Sequence, residues 1–248
     1  MSSWTYLWVD LGVLLIPFVA SFDKRVAFVK EWKAFWPACL LTMAGFVAWD
    51  VAFTQAGIWG FNPKHLIGID LLGLPLEEWL FFIAVPYACV FSYACLKKYV
   101  PQSPLGMGHG VVTSVMLALT IGLALTFWER AYLGLTSALC AGWLGYAAWR
   151  WKTYMSHFWV AFALLLVPFI LSNGILTGIS FWEYPVLHHN PSAIEDHIVW
   201  YNNLHNSGWR IFSMPVDDLL YGLLLIGINV SLFEGFKSSF QGSATTSA

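Results

Sequence analysis

The sequence predicts an all-α integral membrane fold: about seven transmembrane helices, as two parallel three-helix repeats joined by a connecting helix. Three observations predict it. Charged residues are 10% of the chain and apolar residues 58%, with a mean hydropathy of +0.65; soluble domains carry about 25% charged residues. Seven apolar runs of about 17–22 residues are each long enough to cross a bilayer. One acid-bearing pattern also occurs twice, about 140 residues apart, which suggests a repeat.

The runs are Trp4–Phe22, Phe35–Phe53, Leu74–Leu96, Gly110–Trp128, Leu133–Trp151, His157–Ile175 and Pro215–Phe233. The first carries Asp10 and has no basic segment before it, so it reads as a retained span, not a cleaved signal peptide. The first repeat takes residues 1–109, the connecting span 110–131 and the second repeat 132–236. Residues 237–248 are small and polar and read as a disordered tail.

Lysine and arginine set the orientation. With the first loop inside, Lys24, Arg25, Lys30, Lys33, Lys97, Lys98, Arg150, Lys152 and Lys237 are cytoplasmic. Only Lys64, Arg130 and Arg210 fall outside. The positive-inside rule then puts the N-terminus outside and the C-terminus in the cytoplasm, as in a bacterial inner membrane. The net charge of -2 carries no nucleic-acid footprint.

The repeated pattern holds the candidate chemistry. Asp50 closes the second apolar run, and Glu77 and Glu78 follow Pro75 at the start of the third. In the second half Asn173 closes a run, and Asp217 and Asp218 follow Pro215. The copies are four spans apart, an even number, so they share an orientation and are related by an axis along the membrane normal. All these groups then lie toward one face and converge on one cavity. Charges in lipid are costly and need a reason. Pro75 suits the first helical turn, and an acid there complements the helix dipole. Capping accounts for one acid, and less well for two adjacent acids, twice. Neighbours on a helix point about 100° apart, so one faces the cavity and the other a support. Desolvation at lipid depth favours a protonated carboxyl, which is a usable proton donor. Asp50 is placed to share a proton with Glu77 or Glu78, and Asn173 to orient Asp217 or Asp218. Inter-helical hydrogen bonding alone is the competing role for both.

Most of the 15 tryptophans suit interfacial belts. Those beside the acids, with their neighbouring rings, suit a cavity wall: Trp49, Trp59, Trp79, Phe81, Phe82, Tyr201 and Tyr221. A π-face stabilises a nearby cation. His65, His188, His189, His197 and His205 lie in the outer loops without H-E-x-x-H spacing, so no metal site is predicted. The segment from Trp200 to Arg210 reads as a lid, with Arg210 paired to Asp217 or Asp218 or to a loop acid. The four cysteines form no C-x-x-C and read as small buried hydrophobes. No dinucleotide fingerprint or P-loop occurs, so no cofactor is encoded in the chain.

From about Pro17 to Glu234 the sequence resembles the small integral-membrane lycopene cyclases, found as two short subunits, a fused chain or half of a bifunctional fungal enzyme. The resemblance is carried by S-F-D-K (21–24), W-D-x-x-F-T (49–54), G-I-W-G-F-N (57–62), L-P-L-E-E-W-L-F-F (74–82) and P-Y-A-C-V-F (86–91). N-G-I-L-T-G (173–178), V-W-Y-N-N (199–203) and R-I-F-S-M-P-V-D-D (210–218) carry it in the second half. It implies cyclisation of lycopene through γ-carotene to β-carotene, with lycopene and the bilayer as partners, and other carotenoid enzymes or a second copy as further ones. The family's P-x-E-(E/D) motif falls on Glu77 and Glu78. The second-half motif, usually Glu then Asp, is Asp217 and Asp218 here, one methylene shorter. The expected roles are Glu78 or Glu77 as donor, Asp50 as proton-sharing partner, and Asp217 or Asp218 as base. The competing functions are another membrane isoprenoid enzyme and a proton-coupled transporter. Against a prenyltransferase, the run Asp217 to Tyr221 lacks a third acid.

Overall fold

Seven α-helices run through the described residues of the computed structural model, 4–150, 152–189 and 194–245. They are α1 (Thr5–Ala20), α2 (Trp32–Gln55), α3 (Leu76–Tyr99), α4 (Gly108–Thr126), α5 (Ala131–Trp149), α6 (Met155–Thr177) and α7 (Asp217–Thr245). All but α1 and α5 are long and apolar enough to cross a membrane. The 16 residues of α1 and the 19 of α5 rise about 24 and 28 Å. Pro17, Pro37, Pro86 and Pro168 sit inside helices, as transmembrane helices tolerate when neighbours satisfy the freed carbonyls.

The central helices are α3 and α7, each half buried along its apolar stretch; α4 is only 17% buried and lies at the edge, along α5. Helix α1 packs along α3, while α2 and α5 pack along α7. The shared core includes Phe35, Phe82, Tyr87, Leu144, Phe158 and Phe233. Leu15, Ile16, Val111, Leu125 and Val167 are exposed on the flanks, where lipid is a suitable solvent. Small residues allow close approach: a Cβ on Gly227 of α7 would overlap the buried Trp143 ring of α5. That indole donates to Ser231 Oγ at 2.9 Å.

The two ends differ. At the lysine-rich end Lys97 pairs with Glu234 at 2.6 Å and Lys237 with Glu31 at 2.7 Å. At the other end the connecting loops form short strands. Strand β1 (Trp59–Phe61), after α2, pairs antiparallel with β5 (Val199–Tyr201), after α6. Gly60 lies opposite Trp200, and Trp59 opposite Tyr201. Strands β2 (Asp70–Leu71) and β3 (Leu74–Pro75) form a hairpin that leads into α3. Leu72 and Gly73 both take positive φ in its two-residue turn, as such turns require. Strands β6 (Trp209–Ile211) and β7 (Met214–Pro215) form the matching hairpin into α7, and β4 (His188–His189) adds to β6.

Several sequence expectations change. Pro75 and Pro215 end strands and do not open helices; α3 starts at Leu76 and α7 at Asp217. The fifth span stops at Trp149, and Trp151 lies outside the described residues. The segment after Lys237 is helical as far as Thr245, because extending a formed helix is far cheaper than starting one. Residues 246–248 lie outside the described residues.

Replacing Gly227 by Ala is expected to cost about 1–3 kcal/mol by overpacking the α5–α7 contact, seen as a lower Tm in detergent. An unchanged Tm would show slack between these helices.

Candidate active site

The two acid pairs divide their work in the same way. Glu77 Oε1 accepts from the Ile67 backbone N–H at 2.6 Å. Asp217 Oδ1 accepts from the Ser207 N–H at 2.9 Å, and its Oδ2 from the Ser207 hydroxyl at 2.6 Å. Each first acid thus turns back and braces the loop before its own helix. The angular step of the helix sends each second acid inward. There Glu78 Oε2 accepts from the Tyr6 phenol at 2.5 Å, and Asp218 Oδ1 from the Tyr132 phenol at 2.6 Å. Tyr6 opens α1 and Tyr132 opens α5, so each half supplies one phenol to one carboxyl.

The ends of α2 and α6 complete the two clusters. Asp50 Oδ1 accepts from Trp59 Nε1 at 2.5 Å and from Thr54 Oγ1 at 3.3 Å. Asp50 and Glu78 line one cavity, and Asp50 Oδ2 has no hydrogen-bond partner among the described residues. Two buried carboxyl groups facing one space disfavour a double charge, which suits a proton shared between them. In the second half Asn173 Nδ2 donates to Asp218 Oδ2 at 2.7 Å, and the Tyr201 phenol donates to the same oxygen at 3.1 Å. Burial, and then Asp218, push the Tyr201 phenol well above its ordinary range, so it stays a donor.

Between the clusters lies a cavity of about 50 Å³, lined by Asp50, Glu78 and Asp218 and walled by rings. Trp59 meets Tyr132 edge-on at 5.1 Å, and Tyr221 lies 6.1 Å from both rings. Tyr132 stacks on Tyr201 at 5.9 Å. The space is enough for a few waters or one compact apolar group. Two neighbouring acids, a further carboxyl and π-faces around a small buried space suit proton transfer to and from a hydrocarbon.

Of the residues singled out from sequence, Asp50, Glu78, Asp218, Trp59, Phe81, Asn173, Tyr201 and Tyr221 line this cavity. The others lie outside it. Glu77 and Asp217 brace loops, as above. Trp49 packs behind Tyr221 at 5.2 Å, and Trp79 points back to the Leu71 carbonyl at 3.2 Å. Phe82 is covered by Phe46 and Phe81. Arg210 makes no ion pair with Asp217 or Asp218 among the described residues; it donates to the Ser213 carbonyl at 2.5 Å and to Asn203 Oδ1 at 3.0 Å. Its guanidinium sits 5.9 Å over the Tyr201 ring, and burial pulls its pKa below the usual value. The loop backbone wins this arginine because the acid beside it is already filled by Ser207.

Several lining residues escaped the sequence reading, the phenols Tyr6 and Tyr132 and the ring of Phe169 among them. Tyr6 and Tyr132 occupy matching places in Thr5-Tyr6-Leu7 and Ala131-Tyr132-Leu133, a signal that aligning the first spans of the halves would have shown. Asp10, one turn along α1 from Tyr6, is buried, and neither carboxyl oxygen has a hydrogen-bond partner among the described residues.

The sequence matches the family described as lycopene cyclase over residues 3–96 and 129–236. It is similar to "Bifunctional lycopene cyclase/phytoene synthase" of Podospora anserina, 24% identical over 124 residues, which are 46% of this chain and 20% of that protein. The protein of the same name from Aspergillus niger is 26% identical over 138 residues, 50% of this chain and 22% of that one. In Neurospora crassa it is 30% identical over 101 residues, 35% of this chain and 17% of that one. The matched stretch thus spans about a fifth of these relatives' length. No solved structure matches. Both matched blocks carry one acid cluster each, and the chain belongs to the lycopene cyclase family.

Proposed function

We propose that the protein is a lycopene β-cyclase that converts the ψ-ends of lycopene to β-ionone rings, by way of γ-carotene to β-carotene. The observation that carries this reading is the meeting of phenol-held carboxyls from both halves in one aromatic cavity. Family membership narrows the substrate class to carotenoids.

The Asp50–Glu78 pair gives its proton to the terminal double bond of the ψ-end. The tertiary cation that forms is attacked by the internal double bond, closing the ring. Asp218, on the opposite wall, takes a ring proton and leaves the β double bond. One proton enters and one leaves, so the step is an isomerisation with no net redox change and needs no cofactor from the chain. Trp59, Tyr201 and Tyr221 present π-faces to the cation, and a substrate end filling the cavity displaces the water that would trap it. Tyr221 lines the same cavity as all three carboxyls. The cation asymmetry favours a cytoplasmic membrane with the acid end facing away from the cytoplasm.

Glu78→Gln and Asp218→Asn should each lower β-carotene formation by about 10²-fold or more in lycopene-accumulating cells, the usual worth of a general acid or base. Glu77→Gln keeps an oxygen for Ile67 and should lose less than about tenfold, short of that worth. Equal losses at both glutamates, read by pigment chromatography, would reject the donor assignment. In deuterated water the product should gain one deuterium for each ring closed. Rings formed without deuterium would exclude an exchangeable acid as the donor.

A further inference from the structure

Two matching apolar grooves open sideways on the bundle, each between a helix of the first half and one of the second. The first lies between α1 and α6, over α3 and α7, and has a volume of about 600 Å³. Its lining from Thr5 to Pro17 follows α1 for about 18 Å, and the exposed Trp8, Ile16 and Leu171 open it to lipid. The second lies between α5 and α2, over α7, with about 470 Å³. The same matching of halves that pairs Tyr6 with Tyr132 and Glu78 with Asp218 pairs these grooves.

They differ where they approach the acids. Phe169, four residues before Asn173, lines both the first groove and the acid cavity. Its partner Phe46, four residues before Asp50, lines the second groove, which shares no lining residue with that cavity. The difference traces to the central helices. Four residues after Glu78 stands Phe82, fully buried against Phe46 with ring centroids 6.2 Å apart. Four residues after Asp218 stands Gly222, where a Cβ would lie 3.3 Å from the Phe169 ring. Trp49 and Trp143 narrow the second groove where the first has Ser172 and Pro17. One groove is thus plugged by aromatic rings, and the other is left with a single ring over a glycine.

We infer that the linear polyene enters only through the α1–α6 groove, past Phe169 over Gly222, and that its uncyclised remainder stays in that groove during ring closure. This rests on the cyclase reading, which supplies the polyene as occupant. The groove is lined almost wholly by apolar side chains, as a hydrocarbon arriving from lipid requires, and it shares Phe169 with the cavity that holds the acids. Both ends of the substrate use one door. A monocyclic product must therefore withdraw, turn end for end and return before its second ring is made.

Gly12 and Gly45 line the first and second grooves, and a Cβ on either meets nothing within 4 Å. Filling the first groove with Gly12→Trp should lower lycopene conversion at least tenfold; filling the second with Gly45→Trp should leave it within twofold of the parent. Gly222→Phe, which copies the plugged groove, should act like Gly12→Trp at some cost in Tm, whereas the two tryptophan variants should retain the parent's Tm in detergent. A second readout needs no turnover. In membranes, added lycopene should shield a cysteine in Gly12→Cys from a lipid-soluble maleimide and leave one in Gly45→Cys exposed, scored by peptide mass. Equal labelling at both positions, or equal activity of the two tryptophan variants, overturns the single door. Shielding at Gly12 with no cyclic carotenoid from the parent protein keeps the door and overturns the cyclase reading.

Discussion

Carboxyl groups inside a lipid-embedded bundle must find donors within the protein, and most of this architecture follows from that constraint. Unsatisfied charge at such depth costs several kcal/mol, so Asp50, Glu78 and Asp218 are each met by a group fixed on another element. Tyr6 and Tyr132 hold Glu78 and Asp218 from the first turns of α1 and α5. Trp59 and Tyr201 hold Asp50 and Asp218 from the paired strands. These bonds tie helix ends from both halves to one point, and the hydrophobic core below them has only to fill space. The aromatic content of the chain, high for its size, is spent largely around that point and in the Phe35–Tyr87 cluster near the opposite end.

The helices, their order and the face on which the acids gather were legible from composition, run length and a doubled motif. Those signals work because lipid demands long apolar segments and penalises every charge within them. The division of labour within each acid pair was legible only as an alternative. Adjacent helical residues diverge in direction, but which one turns inward depends on loops whose strands are two or three residues long. Arg210 shows the limit well. Its charge invited a pairing with Asp217 or Asp218, yet the Ser213 carbonyl and Asn203 claim it. The tyrosines were missed because a phenol at the end of an apolar run looks like an interfacial anchor. Its role emerges only when the two first spans are laid over one another.

The strand pairing that joins the loops has a consequence for accuracy. Trp59 and Tyr201 face each other in one antiparallel register, and each grips the carboxyl of its own half. The ladder therefore works as a caliper, fixing how far the Asp50–Glu78 wall stands from the Asp218 wall. A slip of one residue would turn the slipped strand's grip to the other side of the ribbon. The width of the acid cavity is thus gauged by three backbone pairs outside the bilayer-spanning helices.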